Sequence, residues 1–284
     1  MRSLVASLFL LAASVAAPAQ ETPPPLSPQC EAPGSDIASN APLPHLAEKL
    51  EKGGPLRILA IGSSSTWGVG ASSRRKTYPA QLRSILESTL KGTEAQITNR
   101  GVSGEVAATT ADRLRTEVAL DRPDVVLWQL GTNDALARVS PGDFERTVGT
   151  TVEWLKGHNI DVVLVGLQYT PTFARDENYF AIRETLRKVA AQQNVLYVRR
   201  YDAMQFIARH QPNAESLVSN DDLHLNDTGY QCMAEHVAHA VIANLFVRKK
   251  DLKSIEEPSK YFLSGKMIFT AVELPGDEIR TCYR

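Results

Sequence analysis

The chain has 284 residues, 43% apolar and 22% charged, which is enough for one large α/β domain with a core of its own. Lysine plus arginine number 31 against 32 for aspartate plus glutamate, and that balance excludes a broad electrostatic attraction to nucleic acid or to an anionic membrane surface. A small or neutral substrate fits it better.

Residues 1–19 read as a secretory signal peptide. Arg2 supplies the charged start, Leu4 to Val15 the short apolar region, and Ala17-Pro18-Ala19 the cleavage site. The expected product is exported, periplasmic or secreted after cleavage near Ala19, and an uncleaved anchor is the alternative. Stable membrane insertion is not expected, because the apolar run is too short to span and no later segment approaches about 18 uninterrupted apolar residues. Residues 20–52, with Pro23-Pro24-Pro25, read as an extended lead-in too poor in apolar residues for a core, ending in a short helix at His45 to Lys52.

From Arg57 the chain alternates two kinds of segment. Strands are expected at Arg57 to Ile61, Ala95 to Asn99, Val125 to Leu130, Asp161 to Val165 and Val195 to Val198. Helices are expected at Tyr78 to Leu90, Val106 to Leu120, Gly142 to Lys156, Asn178 to Gln193 and Asp227 to Val247. Short apolar strands each followed by an amphipathic segment predict an α/β fold. Its form is a three-layer, flavodoxin-like sandwich around a central five-stranded parallel sheet. Residues 53–247 form that domain. Residues 248–284 are a C-terminal extension, with Tyr261 to Leu274 suited to a hairpin or an added edge strand. Three cysteines, Cys30, Cys232 and Cys282, leave the disulfide pairing open. A Cys30–Cys282 bridge would tie both ends to one body, with Cys232 as a small core residue. No spacing resembles a zinc site.

Four polar motifs fall at the loops where such a sheet binds its ligand. They are Gly62-Ser63-Ser64-Ser65-Thr66, Asn99-Arg100-Gly101-Val102-Ser103-Gly104, Gly131-Thr132-Asn133-Asp134 and Asp221-Asp222-Leu223-His224. Acyl transfer requires such a set. A serine hydroxyl becomes a nucleophile when an imidazole takes its proton, and a carboxylate holds that imidazole in the right tautomer. Ser64, His224 and Asp221 suit those roles. The N–H groups of Ser64 and Gly104 and the amide of Asn133 suit an oxyanion hole. The plain readings are a strand-to-helix turn, turn glycines, a loop asparagine and an Asx loop before a helix. Four coincidences in order favour catalysis.

In these blocks the chain resembles the SGNH hydrolases, also called the GDSL esterase and lipase family, from about Arg57 to Val247. The resemblance implies Ser64 as nucleophile, Gly104 and Asn133 as oxyanion donors, and His224 with Asp221 completing the triad. It implies the flavodoxin-like fold and requires no cofactor or metal. One position departs: Ser63 stands where the family's first block has aspartate. Three consecutive serines result, and Ser64 is chosen by register, two residues after Gly62 and four before Gly68.

The expected activity is hydrolysis of short, acetyl-type esters, most of all O-acetyl groups on a carbohydrate or cell-envelope glycan. A lipid esterase or lysophospholipase-like activity, acetyl transfer on the same site, and a catalytically silent carbohydrate-binding module are the rival expectations. Trp67 is a candidate substrate platform. Trp128 inside a strand reads as core, Asp134 as a loop residue, Asp222 as solvent-facing, and His210, His236 and His239 as surface or satisfied helix residues. Arg74-Arg75-Lys76 reads as a solvated loop, or as a patch that steers an anionic polymer. Tyr169 to Glu177 is a loop suited to shaping a pocket.

Overall fold

Runs of Val, Ile and Leu too short for helices make the strands: β1 Leu56–Gly62, β2 Ala95–Gly101, β3 Val125–Gln129, β4 Asp161–Val165 and β5 Leu196–Val198. The computed structural model describes residues 23–210 and 216–245. All five strands pair in parallel in the order β2-β1-β3-β4-β5. The expected doubly wound sheet is therefore present, and every expected strand and helix from Arg57 to Leu245 is found within two residues at each end. The signal peptide expected at residues 1–19, Cys282 and the expected C-terminal extension lie outside the described residues.

The helices are α1 Gly34–Ile37, α2 Pro44–Lys52, α3 Ser64–Trp67, α4 Tyr78–Thr89, α5 Ala107–Asp121, α6 Thr132–Leu136, α7 Pro141–Gly157, α8 Glu177–Gln193, α9 Arg200–His210 and α10 Asp227–Leu245. Alternate strand residues feed two cores. Ile58, Ala60, Leu127 and Val163 pack with Leu82, Leu86, Met233 and Val237 of α4 and α10, while Leu59, Ile61, Val126 and Leu164 pack with Leu114, Val148, Val152 and Leu186 of α5, α7 and α8. Burial of β3 and β4 on both faces explains their unbroken apolar sequences. Helix α9 escaped the sequence reading for a physical reason. Its inward face includes Arg200, 1% exposed, so a buried cation interrupts the apolar period that Tyr201, Met204 and Ile207 would otherwise show.

The expected extended lead-in is corrected from residue 23 onward. Cys30, Ala41, Leu43 and Leu46 join the core and α1 lies within the stretch expected to be extended, while α2 matches the short helix expected at His45 to Lys52. The reason is that β5 is an edge strand needing cover. Ala38 bridges Val198 antiparallel, Ser39 N–H donates to Tyr197 O at 2.9 Å, and Arg199 N–H donates to Ile37 O at 2.7 Å. Upstream, the segment is held to α10: Cys30 is disulfide-bonded to Cys232, His236 Nε2 donates to Cys30 O at 2.7 Å, and Asn244 Oδ1 accepts from Ala41 N–H at 2.9 Å. The alternative Cys30–Cys282 bridge is thereby excluded, because both partners of the actual bridge are spent. Burial holds the His236 pKa below its ordinary value, against the pull of the Cys30 carbonyl.

A bridge closing 202 residues of sequence removes much chain entropy from the unfolded state, by about 5 kcal/mol on a loop-closure model. Cys30→Ala/Cys232→Ala is expected to melt roughly 5–15 °C below the wild type, since about 2–5 kcal/mol is typical for such a loss. Differential scanning calorimetry checks this. None of the described helices is long and apolar enough to cross a membrane.

Candidate active site

The sheet register sets the carboxyl ends of the strands in a line. Gly62 lies opposite both Gly101 and Gln129, Gln129 opposite Val165, and Val165 opposite Val198. The four polar motifs therefore gather at one end of the molecule. Ser63 to Trp67 follow β1, Val102 to Gly104 follow β2, and Gly131 to Asp134 follow β3, while the Asp221 to His224 loop precedes α10.

The serines are no longer equivalent. Ser63 is buried, its N–H and its Oγ both donating to Gln129 Oε1 at 3.0 Å, and Ser65 is buried at 3% exposure. Ser64, the first residue of α3, is half-exposed, and among the described residues its Oγ has no hydrogen-bond partner. Ser63 and Thr66 saturate the Gln129 side-chain carbonyl oxygen, while among the described residues the buried Gln129 Nε2 has no partner.

His224 and Asp221 come together closely. Asp221 Oδ2 lies 2.5 Å from His224 Nδ1, and Oδ1 accepts from the N–H groups of His224 at 2.9 Å and Leu223 at 3.0 Å, and from Ser219 Oγ at 2.9 Å. Partial desolvation works to raise the Asp221 pKa. The hydrogen bonds from the His224 ring and from the backbone outweigh it and hold the carboxyl well below the usual range. An ionised carboxylate on Nδ1 keeps that proton in place and leaves Nε2 as the acceptor.

The histidine loop is seated on the loop that follows α3. Gly70, at φ 92°, lies so close that a Cβ would stand 2.3 Å from Leu225 O and 3.3 Å from His224 Cβ. Only glycine fits there. Tyr230 Oη donates to Val69 O at 2.7 Å, and Ser72 N–H to Asp227 Oδ1 at 2.8 Å, fastening the same two segments.

Asn133 Nδ2 donates to Glu105 O at 2.8 Å, which joins the β3 loop to the residue after Gly104 and leaves one amide hydrogen for a ligand. Asp134 accepts from Gly131 N–H at 3.2 Å and Ala107 N–H at 2.8 Å, so it holds its own loop, as expected, and the start of α5 as well. Burial raises its pKa against those bonds. Gly104 is exposed at φ 84°, and among the described residues neither its N–H nor that of Ser64 donates to the backbone. Glu105 is clamped by Arg113, whose Nη2 lies 2.7 Å from Oε2.

Trp67 stands 57% exposed at the end of α3. Beside it runs a groove of about 460 Å³ lined by Trp67, Ser73, Arg74, Thr77, Arg83 and Asn99, among others. Trp128 is buried in the core and His210 is exposed, as expected. In the loop after β4, Phe173 stacks on Tyr179 at 5.0 Å and Asp176 pairs with Arg138. The sequence reading passed over Gln129, Gln168 and Arg200, all buried at this end of the sheet. No motif signals them: Gln129 and Gln168 are single polar residues within or beside an apolar strand, and Arg200 sits in the charged run Arg199-Arg200-Tyr201-Asp202. Among the described residues no cluster of His, Cys, Asp and Glu suits a metal ion.

A family model described as the non-GDSL lipase-like family matches residues 29–246. The chain belongs to that family. It is thus an SGNH-type hydrolase, and the family's description agrees with the missing first-block aspartate at Ser63. This non-GDSL lipase-like chain is 25% identical to esterase TesA of Pseudomonas aeruginosa over 142 residues, half of this chain and 68% of that protein. It is 23% identical to an arylesterase of Vibrio mimicus over 191 residues, 66% of this chain and 90% of the relative. Among solved structures, a two-domain esterase active on acetylated mannans has the same fold, with TM-score 0.62 and 19% identity, covering 76% of this chain and 57% of that one. The chain is a carboxylic ester hydrolase.

Proposed function

We propose that this hydrolase is an exported serine esterase that removes acetyl groups from a carbohydrate or cell-envelope glycan, with Ser64, His224 and Asp221 as its triad. The observation that carries the reading is the Asp221–His224 pair seated against Gly70, on the loop that follows α3, the helix that Ser64 begins. His224 Nε2 takes the Ser64 proton as Oγ attacks the ester carbonyl. The oxyanion is received by the Ser64 and Gly104 N–H groups and the spare Asn133 amide hydrogen, each such donor contributing about 3 kcal/mol to the transition state. His224 then protonates the departing sugar hydroxyl. Water, deprotonated by His224, releases acetate from the acyl-enzyme. No step calls for a cofactor.

The exposed Trp67 ring, at the end of the helix that Ser64 begins, offers a face on which a sugar ring stacks and favours a glycan substrate. Two solved proteins of the same fold point the same way, the mannan esterase above and an acetyl xylan esterase from Geobacillus stearothermophilus at 20% identity and TM-score 0.58, covering 69% of this chain and 98% of that one. Export rests on residues 1–19.

A panel of p-nitrophenyl esters from acetate to laurate, run beside acetylated xylan and mannan oligosaccharides, tests the proposal. Free acetate from the oligosaccharides, and rates falling with acyl length, are expected. A preference for laurate, or acetyl groups moved onto added glycan, overturns the substrate assignment.

A further inference from the structure

One buried side chain joins the two loops on which the proposed chemistry depends. Gln168, 2% exposed and three residues beyond the end of β4, donates from Nε2 to Leu223 O at 2.8 Å and accepts at Oε1 from Thr132 Oγ1 at 3.1 Å. Leu223 immediately precedes His224, and Thr132 immediately precedes Asn133. The Gln168 backbone is itself held, its carbonyl accepting from Tyr179 Oη at 2.6 Å.

What fixes the amide is Arg200. Its guanidinium is fully buried at the start of α9, and among the described residues it meets no carboxylate. Nη2 donates to Gln168 Oε1 at 2.6 Å, Nη1 to Met233 Sδ at 3.6 Å, and among the described residues Nε is without a partner. Burial of a cation with no counter-ion is costly, and an apolar side chain of similar volume would stabilise the core more. A guanidinium only donates, so it forces Oε1 of Gln168 to face it and Nε2 to face Leu223. The flipped amide would set donor against donor at Arg200 and acceptor against acceptor at Leu223.

We propose that Gln168, oriented by Arg200, is a positioning residue that sets the His224 loop against the Asn133 loop. The inference rests on the roles proposed for His224 and Asn133. The Asp221 bond fixes the ring within its own loop; the Gln168 bond fixes that loop relative to the sheet end. A displacement of about 1 Å is enough to slow a reaction of this kind about a hundredfold.

Gln168→Glu separates positioning from stability. It gives Arg200 the carboxylate it lacks and places an oxygen against Leu223 O. The melting temperature is expected to stay level or rise, while kcat for p-nitrophenyl acetate falls about 10- to 100-fold with KM within about twofold. Fluorophosphonate labelling of Ser64 slows by the same factor as kcat. Gln168→Met/Arg200→Met removes both buried polar partners together, which a core tolerates far better than losing one. It is expected to fold and to be similarly slow. A rate within twofold of wild type in either folded variant overturns the inference, as does failure of both to fold, which would make the pair a stability device. Wild-type protein that takes no label would instead remove the hydrolase roles on which the inference stands.

Discussion

Ser64→Ala is expected to lower kcat for p-nitrophenyl acetate by about 10⁴-fold or more and to abolish fluorophosphonate labelling. The melting temperature should barely move, because among the described residues the Ser64 hydroxyl bonds to nothing and its removal leaves no buried partner unpaired. Its neighbours provide the contrast. Ser65→Ala touches a side chain buried beneath α3, and Ser63→Ala removes a hydrogen bond to Gln129, so both are expected to retain activity within about tenfold of wild type while Ser63→Ala loses about 1 kcal/mol of stability. Abolished activity in Ser65→Ala beside an active Ser64→Ala would move the nucleophile and with it the mechanism.

Asp221→Asn is the second large effect, with kcat expected to fall about 10²- to 10⁴-fold. The asparagine amide would present a hydrogen to Nδ1 or leave its oxygen there without charge, and either way the imidazolium loses the carboxylate that stabilises it. Asp221 also gathers Leu223 N–H, His224 N–H and Ser219 Oγ, so the variant should lose some stability. The pH dependence has a definite sign. A carboxyl whose folded pKa is depressed contributes stability above its unfolded pKa, about 4, and loses it as pH falls through the folded value. The gap between wild type and Asp221→Asn should therefore be present at pH 7 and close in strong acid. Asp221 is about half exposed, and solvent screening keeps that gap small. Paired thermal melts at several pH values, with stopped-flow kinetics at neutral pH, measure both quantities.

Much of the fold was legible because the sheet is fully covered. Strands buried on both faces read as unbroken apolar runs, and β3 and β4 announce themselves in that way. Three of the four polar motifs were legible for a related reason, each standing at an abrupt change from apolar strand to glycine, serine or asparagine, while the fourth, Asp221 to His224, was legible from its Asp-x-x-His spacing before α10. What escaped was the polar material placed inside the apolar pattern. Arg200 disguised the first turn of α9 as a charged loop, and Gln168 carries no local signature because its partners, Thr132, Leu223 and Arg200, are distant in sequence. The difference in burial among the three serines was not legible, because packing against Gln129 is a property of two strands and no spacing within one motif contains it. The N-terminal segment misled for the opposite reason. Its apolar residues are sparse in sequence, yet Cys30, Ile37, Leu43 and Leu46 are buried, because they finish a core that other elements begin.

That segment gives the disulfide a meaning beyond chain entropy. Residues 37 to 39 occupy the outer hydrogen-bonding edge of β5, and the Cys30–Cys232 bond ties the stretch just before them to α10. If the bond is reduced and that stretch peels away, β5 presents free N–H and C=O groups to any passing strand, including the same edge of a second molecule. Reduction is therefore expected to raise self-association as well as to lower the melting temperature, which light scattering with and without a thiol reductant measures.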